Sequence, residues 1–199
     1  MSTSLIYRSS SLYELAMVGL YGRHYASRYR AIADLIPAGS SVLDLCCGPA
    51  LLYHRYLRHK SVDYTGLDVN AKFIGQLTRR GAGGQIWDLR AETPLPQADY
   101  VVMQGSLFHF LPDPAAVVDR MLRAARKQVV IAEPIRNVAS SKRRLLALAG
   151  KLFTNPGTGN HSQRFNEASI DQLFSRYSSS VVQSCLIAGG REKMYVLAR

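Results

Sequence analysis

Cysteine is scarce and poorly placed for cross-linking: the 199 residues include three, Cys46 beside Cys47 and Cys185 alone. That excludes a disulfide framework and a paired zinc spacing, so reduced thiols, no metal centre and a cytoplasmic setting are expected. Long apolar runs are missing as well. No stretch approaches the roughly 18 uninterrupted apolar residues of a membrane-spanning helix, and no charged-then-apolar leader precedes Arg8. With 15 Gly and 8 Pro the chain is neither collagen-like nor of low complexity. Acids are few, 14 Asp+Glu against 25 Lys+Arg, which leaves a formal charge of +11. None falls between Glu133 and Glu167, a stretch that holds Arg136, Lys142, Arg143, Arg144, Lys151 and Arg164. An anionic partner for the second half of the chain is one implication.

What is present suits a single domain with its own core, since 47% of the residues are apolar. Residues 12–36 read as helix, broken in two by Gly19 and Gly22 and ended by Pro37 and Gly39. Short apolar runs follow at 41–45, 62–68, 85–88, 98–103 and 128–132. They alternate with helical stretches at 51–58, 71–80 and 114–126, the last opened by Asp113 with Pro114 at its first position. Gly81 to Gly84 read as a turn. A helix from Asn166 to about Tyr177 and two strands, 180–187 and 193–198, joined across Gly189-Gly190, complete the pattern. Strands alternating with helices imply crossover connections, hence a mostly parallel sheet with helices on both faces.

Ligands of such sheets bind beyond the carboxyl ends of the strands. The residues there are Asp44 to Ala50, Asp68-Val69-Asn70, Asp88-Leu89, Gln104-Gly105-Ser106 and Glu133-Pro134. Three successive strand ends carry Asp in a chain poor in acids. Asp68 follows Gly48 by 20 residues, as the ribose-binding acid of a dinucleotide site would, but the G-x-G-x-x-G frame reads Cys46, Gly48, Leu51 and loses two of its three glycines. A pyrophosphate needs close backbone approach there. A nucleoside with an adenine-like edge and a positive or amino-acid end needs less of it, and carboxylates suit it.

The ordered series Val42-Leu-Asp-Leu-Cys-Cys-Gly-Pro-Ala50, Gly66-Leu-Asp-Val-Asn70, Trp87-Asp88-Leu89 and Ala98 to Asp113 resembles the successive motifs of class I S-adenosylmethionine-dependent methyltransferases. The likeness extends over roughly two thirds of the chain. It implies an α/β Rossmann-like, doubly wound, mostly parallel seven-stranded sheet with a C-terminal antiparallel hairpin. It also implies S-adenosylmethionine as cofactor and S-adenosylhomocysteine as product. The implied cofactor residues are Asp44, Cys46 and Gly48 around the methionine part, Asp68 with Val69 at the ribose, Asp88 and Leu89 at the adenine, and Gln104 and Gly105 beside the sulfonium. Tyr21 or Tyr25 would close the site. The family's acid-x-Gly-x-Gly-x-Gly is altered to Cys46 and Ala50 at two glycines. The two cysteines read as small packing residues rather than nucleophiles. If a general base is used, His109 is best placed and His161 next.

The implied organisation is one methyltransferase domain over 1–199: an N-terminal helical cap (1–39), a cofactor-binding core (40–134), a variable lid or substrate insert (135–164) and a C-terminal helix and hairpin (165–199). The basic cluster and apolar body of 140–153 suit an interfacial helix or one lying over an apolar pocket, including a peripheral lipid contact. A small apolar or lipid-like acceptor is the preferred substrate class. RNA is the rival, but 19 of the 25 basic residues are Arg scattered along the chain, with no aromatic-interleaved basic run. A non-catalytic cofactor-binding partner subunit is a further alternative.

Overall fold

The structure, a computed structural model, describes residues 10–136 and 163–199. Its centre is a seven-stranded sheet of order β3-β2-β1-β4-β5-β7-β6, built from β1 (Ser41–Leu45), β2 (Asp63–Asp68), β3 (Gly83–Ile86), β4 (Ala98–Gln104), β5 (Ala125–Pro134), β6 (Val181–Ile187) and β7 (Glu192–Ala198). The first five are parallel; β7 runs antiparallel to β5 and to β6. The strand order reverses between β1 and β4, which places a cleft beyond their carboxyl ends.

The central strands are apolar on both faces because both faces are covered. Alternate β4 residues divide between two cores. Val101 and Met103 pack with α4 (Ala115–Ala124) and with a later helix, α5 (Glu167–Ser175), whereas Tyr100 and Val102 pack with Tyr29 and Ile32 of α2 (Tyr25–Ala33). Between β2 and β3 lies α3 (Ala71–Arg79), opened by Asn70, whose side chain accepts from the Lys72 N–H. Asn166 and Ser169 form a reciprocal capping box on α5.

Several local expectations change. The first helix, α1 (Ser10–Tyr21), breaks at Gly22 and not at Gly19, because Gly22 is the residue with positive φ, 53°. The stretch expected as an ordinary helix to Arg58 widens into a π-helical turn, Tyr53–Leu57, and tightens into a 3-10 turn at Arg58–Lys60. In this arrangement Tyr53 stacks on Tyr64 and Tyr56 on Tyr29. Gly83 and Gly84 belong to β3 rather than to a turn: a Cβ on Gly83 would lie 2.8 Å from the Tyr64 carbonyl oxygen, so bare backbone is what lets the strand pair. Trp87 and Asp88 fall beyond its end. Asp113 does not cap α4; Pro114 holds the N-cap position without a side-chain bond. That helix stops at Ala124, where β5 begins directly, with Ala125 paired to Ala98.

Candidate cofactor site

Downstream of β1 the backbone turns left-handed at every second residue: φ is 55° at Cys46, 54° at Gly48 and 51° at Ala50. Side chains rarely take this conformation. Cys46 and Ala50 therefore hold the backbone shape of the glycines they replace. The turn is fixed from β2. Asp68 Oδ2 accepts the Gly48 N–H at 2.9 Å, and its Oδ1 accepts the Asn70 N–H at 2.8 Å. Gly66 faces the same loop, and a Cβ there would meet Cys47 Sγ at 2.7 Å. Burial and the neighbouring carboxylates hold both adjacent thiols well above the ordinary thiol range.

Asp44 is buried at the end of β1, its Oδ2 accepting the Tyr64 hydroxyl at 2.7 Å. Burial pushes its carboxyl up to about 7; the Tyr64 bond opposes the rise and the charge of Asp68 adds to it. Asp68 is raised as well, by burial, against its two backbone bonds. Asp88 is exposed beyond β3, where it accepts the Arg90 N–H at 2.9 Å. Leu89 is buried behind it, its carbonyl accepting from Arg120, while Val69 is exposed. Trp87 Nε1 is buried beside them with no hydrogen-bond partner among the described residues.

On the other side of the cleft, Gly105 turns left-handed at 66° and donates its N–H to the Ala132 carbonyl at 2.7 Å. Gln104 Nε2 donates to the Arg28 carbonyl at 3.1 Å and to Glu192 Oε2 at 3.4 Å. Glu192 is fully buried, forms an ion pair with Arg28 at 2.8 Å and accepts the Tyr21 hydroxyl. The Arg28 guanidinium lies 4.3 Å from the Tyr21 ring centre. Of the two tyrosines considered for closure, Tyr21 joins this cluster, whereas the Tyr25 hydroxyl turns to Glu14 at 3.3 Å. Glu133, buried at the end of β5, accepts the Leu107 N–H at 3.0 Å; burial pushes its carboxyl up to about 8. His109 sits half-buried in the 3-10 turn Leu107–Phe110 against Phe108. His161 lies outside the described residues, as does the 140–153 stretch.

Asp44, Gly48 and Asp68 thus gather at the carboxyl ends of β1 and β2, and Gln104 and Tyr21 are joined through Glu192 beyond β4, with Asp88 and Leu89 along the β3 side. Sequence reasoning passed over Arg28 and Glu192. The available signal was Arg28 on the apolar stripe of Tyr25, Tyr29 and Ile32, since a cation there needs a buried partner.

The family model for methionine biosynthesis protein MetW matches residues 26–155. The chain belongs to the MetW family. No curated protein matches it. Among solved structures, it is similar to a chain of the Haloferax volcanii complex between the Trm112 methyltransferase activator and a methyltransferase. There the TM-score is 0.68 at 12% identity, covering 100% of this chain and 99% of that one. It is also similar to magnesium protoporphyrin IX methyltransferase from Synechocystis with bound S-adenosylhomocysteine, with TM-score 0.63 and 17% identity over 92% and 84% of the two chains. Human N-acetylserotonin methyltransferase in complex with S-adenosylmethionine gives 0.62 at 15% identity, covering 98% of this chain and 57% of that one. At these identities the likeness is one of fold, and this chain has the class I methyltransferase fold with its C-terminal antiparallel strands.

Among the described residues no helix is long and apolar enough to cross a membrane.

Proposed function

We propose that this MetW-family chain binds S-adenosylmethionine and transfers its methyl group to a small acceptor with an apolar body, in a reducing, cytoplasmic setting. Residues 1–199 act as one domain with the cap, core, insert and hairpin divisions given above.

The observation that carries this reading is the contact between Asp68 and Gly48. In a dinucleotide site the N–H of the loop glycine is offered to phosphate; here it is given to a carboxylate. Asp44 stands behind the same loop, so a phosphate would meet two acids. A cationic nucleoside suits that donor set. Asp68 retains lone pairs for a vicinal diol, Asp44 would face the amino group, and Asp88 with the Leu89 N–H would take the adenine edge. Gln104, held by Arg28 and Glu192, would flank the sulfonium with Gly105.

When bound, the cofactor supplies an activated methyl on a good leaving group. The chain's own work is then to hold the acceptor in line and exclude water. If the acceptor must lose a proton, His109, in the turn that follows β4, is the candidate base.

Calorimetry of the folded protein with S-adenosylmethionine and S-adenosylhomocysteine tests the reading. Saturable binding of both is expected; no binding of either overturns it.

A further inference from the structure

On the α4 and α5 side of the sheet's carboxyl end lies a cleft of about 870 Å³, bounded by the chain after the 107–110 turn, by the residue following β5 and by α5. That size suits a small-molecule ligand. Its apolar lining includes Ile135, Phe165 and Leu173, all buried. Its polar lining comprises two cations, Arg164 and Arg176, and the neutral Gln163, Asn166, Ser169 and Gln172, with Asp113 as the one carboxylate among the described lining residues.

The charge of this wall is maintained by a second arrangement. The acids of α5, Glu167 and Asp171, are absent from the lining and are held by Lys193 at 3.2 and 2.7 Å. They do not pair with Arg176. Arg164 is also fixed in place, its guanidinium carbon 3.3 Å from the Phe108 ring centre. Phe108 belongs to the turn that follows Gln104 and Gly105 in the chain. The same guanidinium stabilises the charged form of Glu133.

We propose that this cleft binds the anionic end, carboxylate or phosphate, of an acceptor with an apolar body, and that Arg164 and Arg176 determine that specificity. Planar guanidinium forks match both oxyanions, and the apolar floor takes the attached carbon chain. Assignment of the ligand as methyl acceptor rests on the methyltransferase reading; the anion site itself does not.

The test is an NMR titration of the ¹⁵N-labelled full chain with hexanoate, acetate and inorganic phosphate, with hexylamine as the oppositely charged control and S-adenosylhomocysteine calorimetry in parallel. Saturable shifts are expected at the amides of Gln163 to Asn166 and at Asp113, with hexanoate binding more tightly than acetate. Arg176→Gln, at an exposed position, should weaken binding at least fivefold, and Arg164→Gln should abolish it. Arg126→Gln, at the opposite end of β5, should titrate as wild type. Preference for phosphate over hexanoate assigns a phosphorylated acceptor, and the reverse a carboxylate; either supports the site. Shifts that do not saturate, that survive in both variants or that hexylamine reproduces overturn it. Binding of S-adenosylhomocysteine without anion binding sinks the cleft proposal alone. Anion binding without S-adenosylhomocysteine binding sinks the acceptor assignment and the methyltransferase reading, and leaves an anion site.

Discussion

Arg28 and Glu192, 164 positions apart, form a fully buried ion pair at 2.8 Å that ties α2 to the start of β7. Glu192 pairs in register with Pro134 at the end of β5, so the contact lies at the carboxyl edge of the sheet. Through Gln104 Nε2, which reaches both partners, the N-terminal helices are locked to the end of β4. Burying two charges is costly, and losing one partner leaves the other uncompensated.

Arg28→Met should therefore lower the unfolding free energy by about 3–5 kcal/mol. Adding Glu192→Met should recover much of that loss, because the stranded charge goes with it. Urea unfolding of the single and double variants measures both. A double variant as unstable as the sum of the singles would contradict the pairing.

The left-handed loop makes a second prediction, one that depends on backbone conformation alone. A Cβ at Gly48 meets nothing within 4 Å, yet φ there is 54°. Gly48→Ala should cost about 1–2 kcal/mol from conformation alone. Ala50→Gly should stay within about 1 kcal/mol of wild type, as strain relief offsets the lost methyl burial and the greater freedom of the unfolded chain. Equal stability of Gly48→Ala and wild type would refute the conformation.

Two buried acids contribute to the pH dependence of the cofactor-free protein. Asp44 and Glu133 are pushed up to about 7 and about 8, against about 4 in an unfolded chain. The folded state therefore retains protons that the unfolded state has lost. The stabilising contribution of these two groups is fully present below about pH 4 and falls as pH rises toward 7 for Asp44 and toward 8 for Glu133. The slope is at most about 1.4 kcal/mol per pH unit for each proton. Asp44→Asn should flatten the profile below pH 7, and Glu133→Gln should flatten the part extending to pH 8. Urea midpoints across pH 5 to 9 read this directly; unchanged slopes would show that neither acid is responsible.

The acids at the site were legible in the sequence because they are rare: Asp44, Asp68 and Asp88 stand out at three strand ends in a chain with 14 acids. The β6–β7 hairpin was legible through Gly189 and Gly190, both left-handed in the turn. Gly83 and Gly84 misled for the opposite reason. Gly83 closely approaches Tyr64 and Thr65 of β2, and Gly84 the Ile74, Leu77 and Thr78 side chains of α3, tertiary contacts that local turn propensity does not encode. The widened turn at Tyr53–Leu57 shares that character, being bound up with stacking on Tyr64 and Tyr29. Arg28 finding Glu192 is the extreme case, since nothing near either residue names its partner. In the sequence Cys46 and Ala50 stand out only as departures from two glycines of the family pattern; that they adopt the glycine conformation is seen in the dihedrals alone.

Asp68 has two roles that substitution can separate. Asp68→Ala removes both the acceptors for a ribose diol and the clamp on Gly48, so affinity for S-adenosylhomocysteine should fall about tenfold to a hundredfold, the range of one lost charged hydrogen bond. Asp68→Asn keeps one oxygen able to accept the Gly48 N–H and should fall less. Calorimetry of the two variants compares them. Equal, undiminished affinity in both would remove Asp68 from the site.

Asp44 adds a proton to the binding equilibrium. Its buried carboxyl is largely neutral below pH 7 without ligand, and an ammonium placed against it would favour the carboxylate. Binding at pH 6 should then release a proton, and affinity should rise with pH until about 7, where Asp44 is already half-ionised. The release is measurable as a difference in apparent binding enthalpy between MES and imidazole buffers, whose ionisation enthalpies differ. In Asp44→Asn the difference should vanish and the affinity should become level across that range. A proton released equally by wild type and by Asp44→Asn would have to come from elsewhere, and would take the amino group away from Asp44.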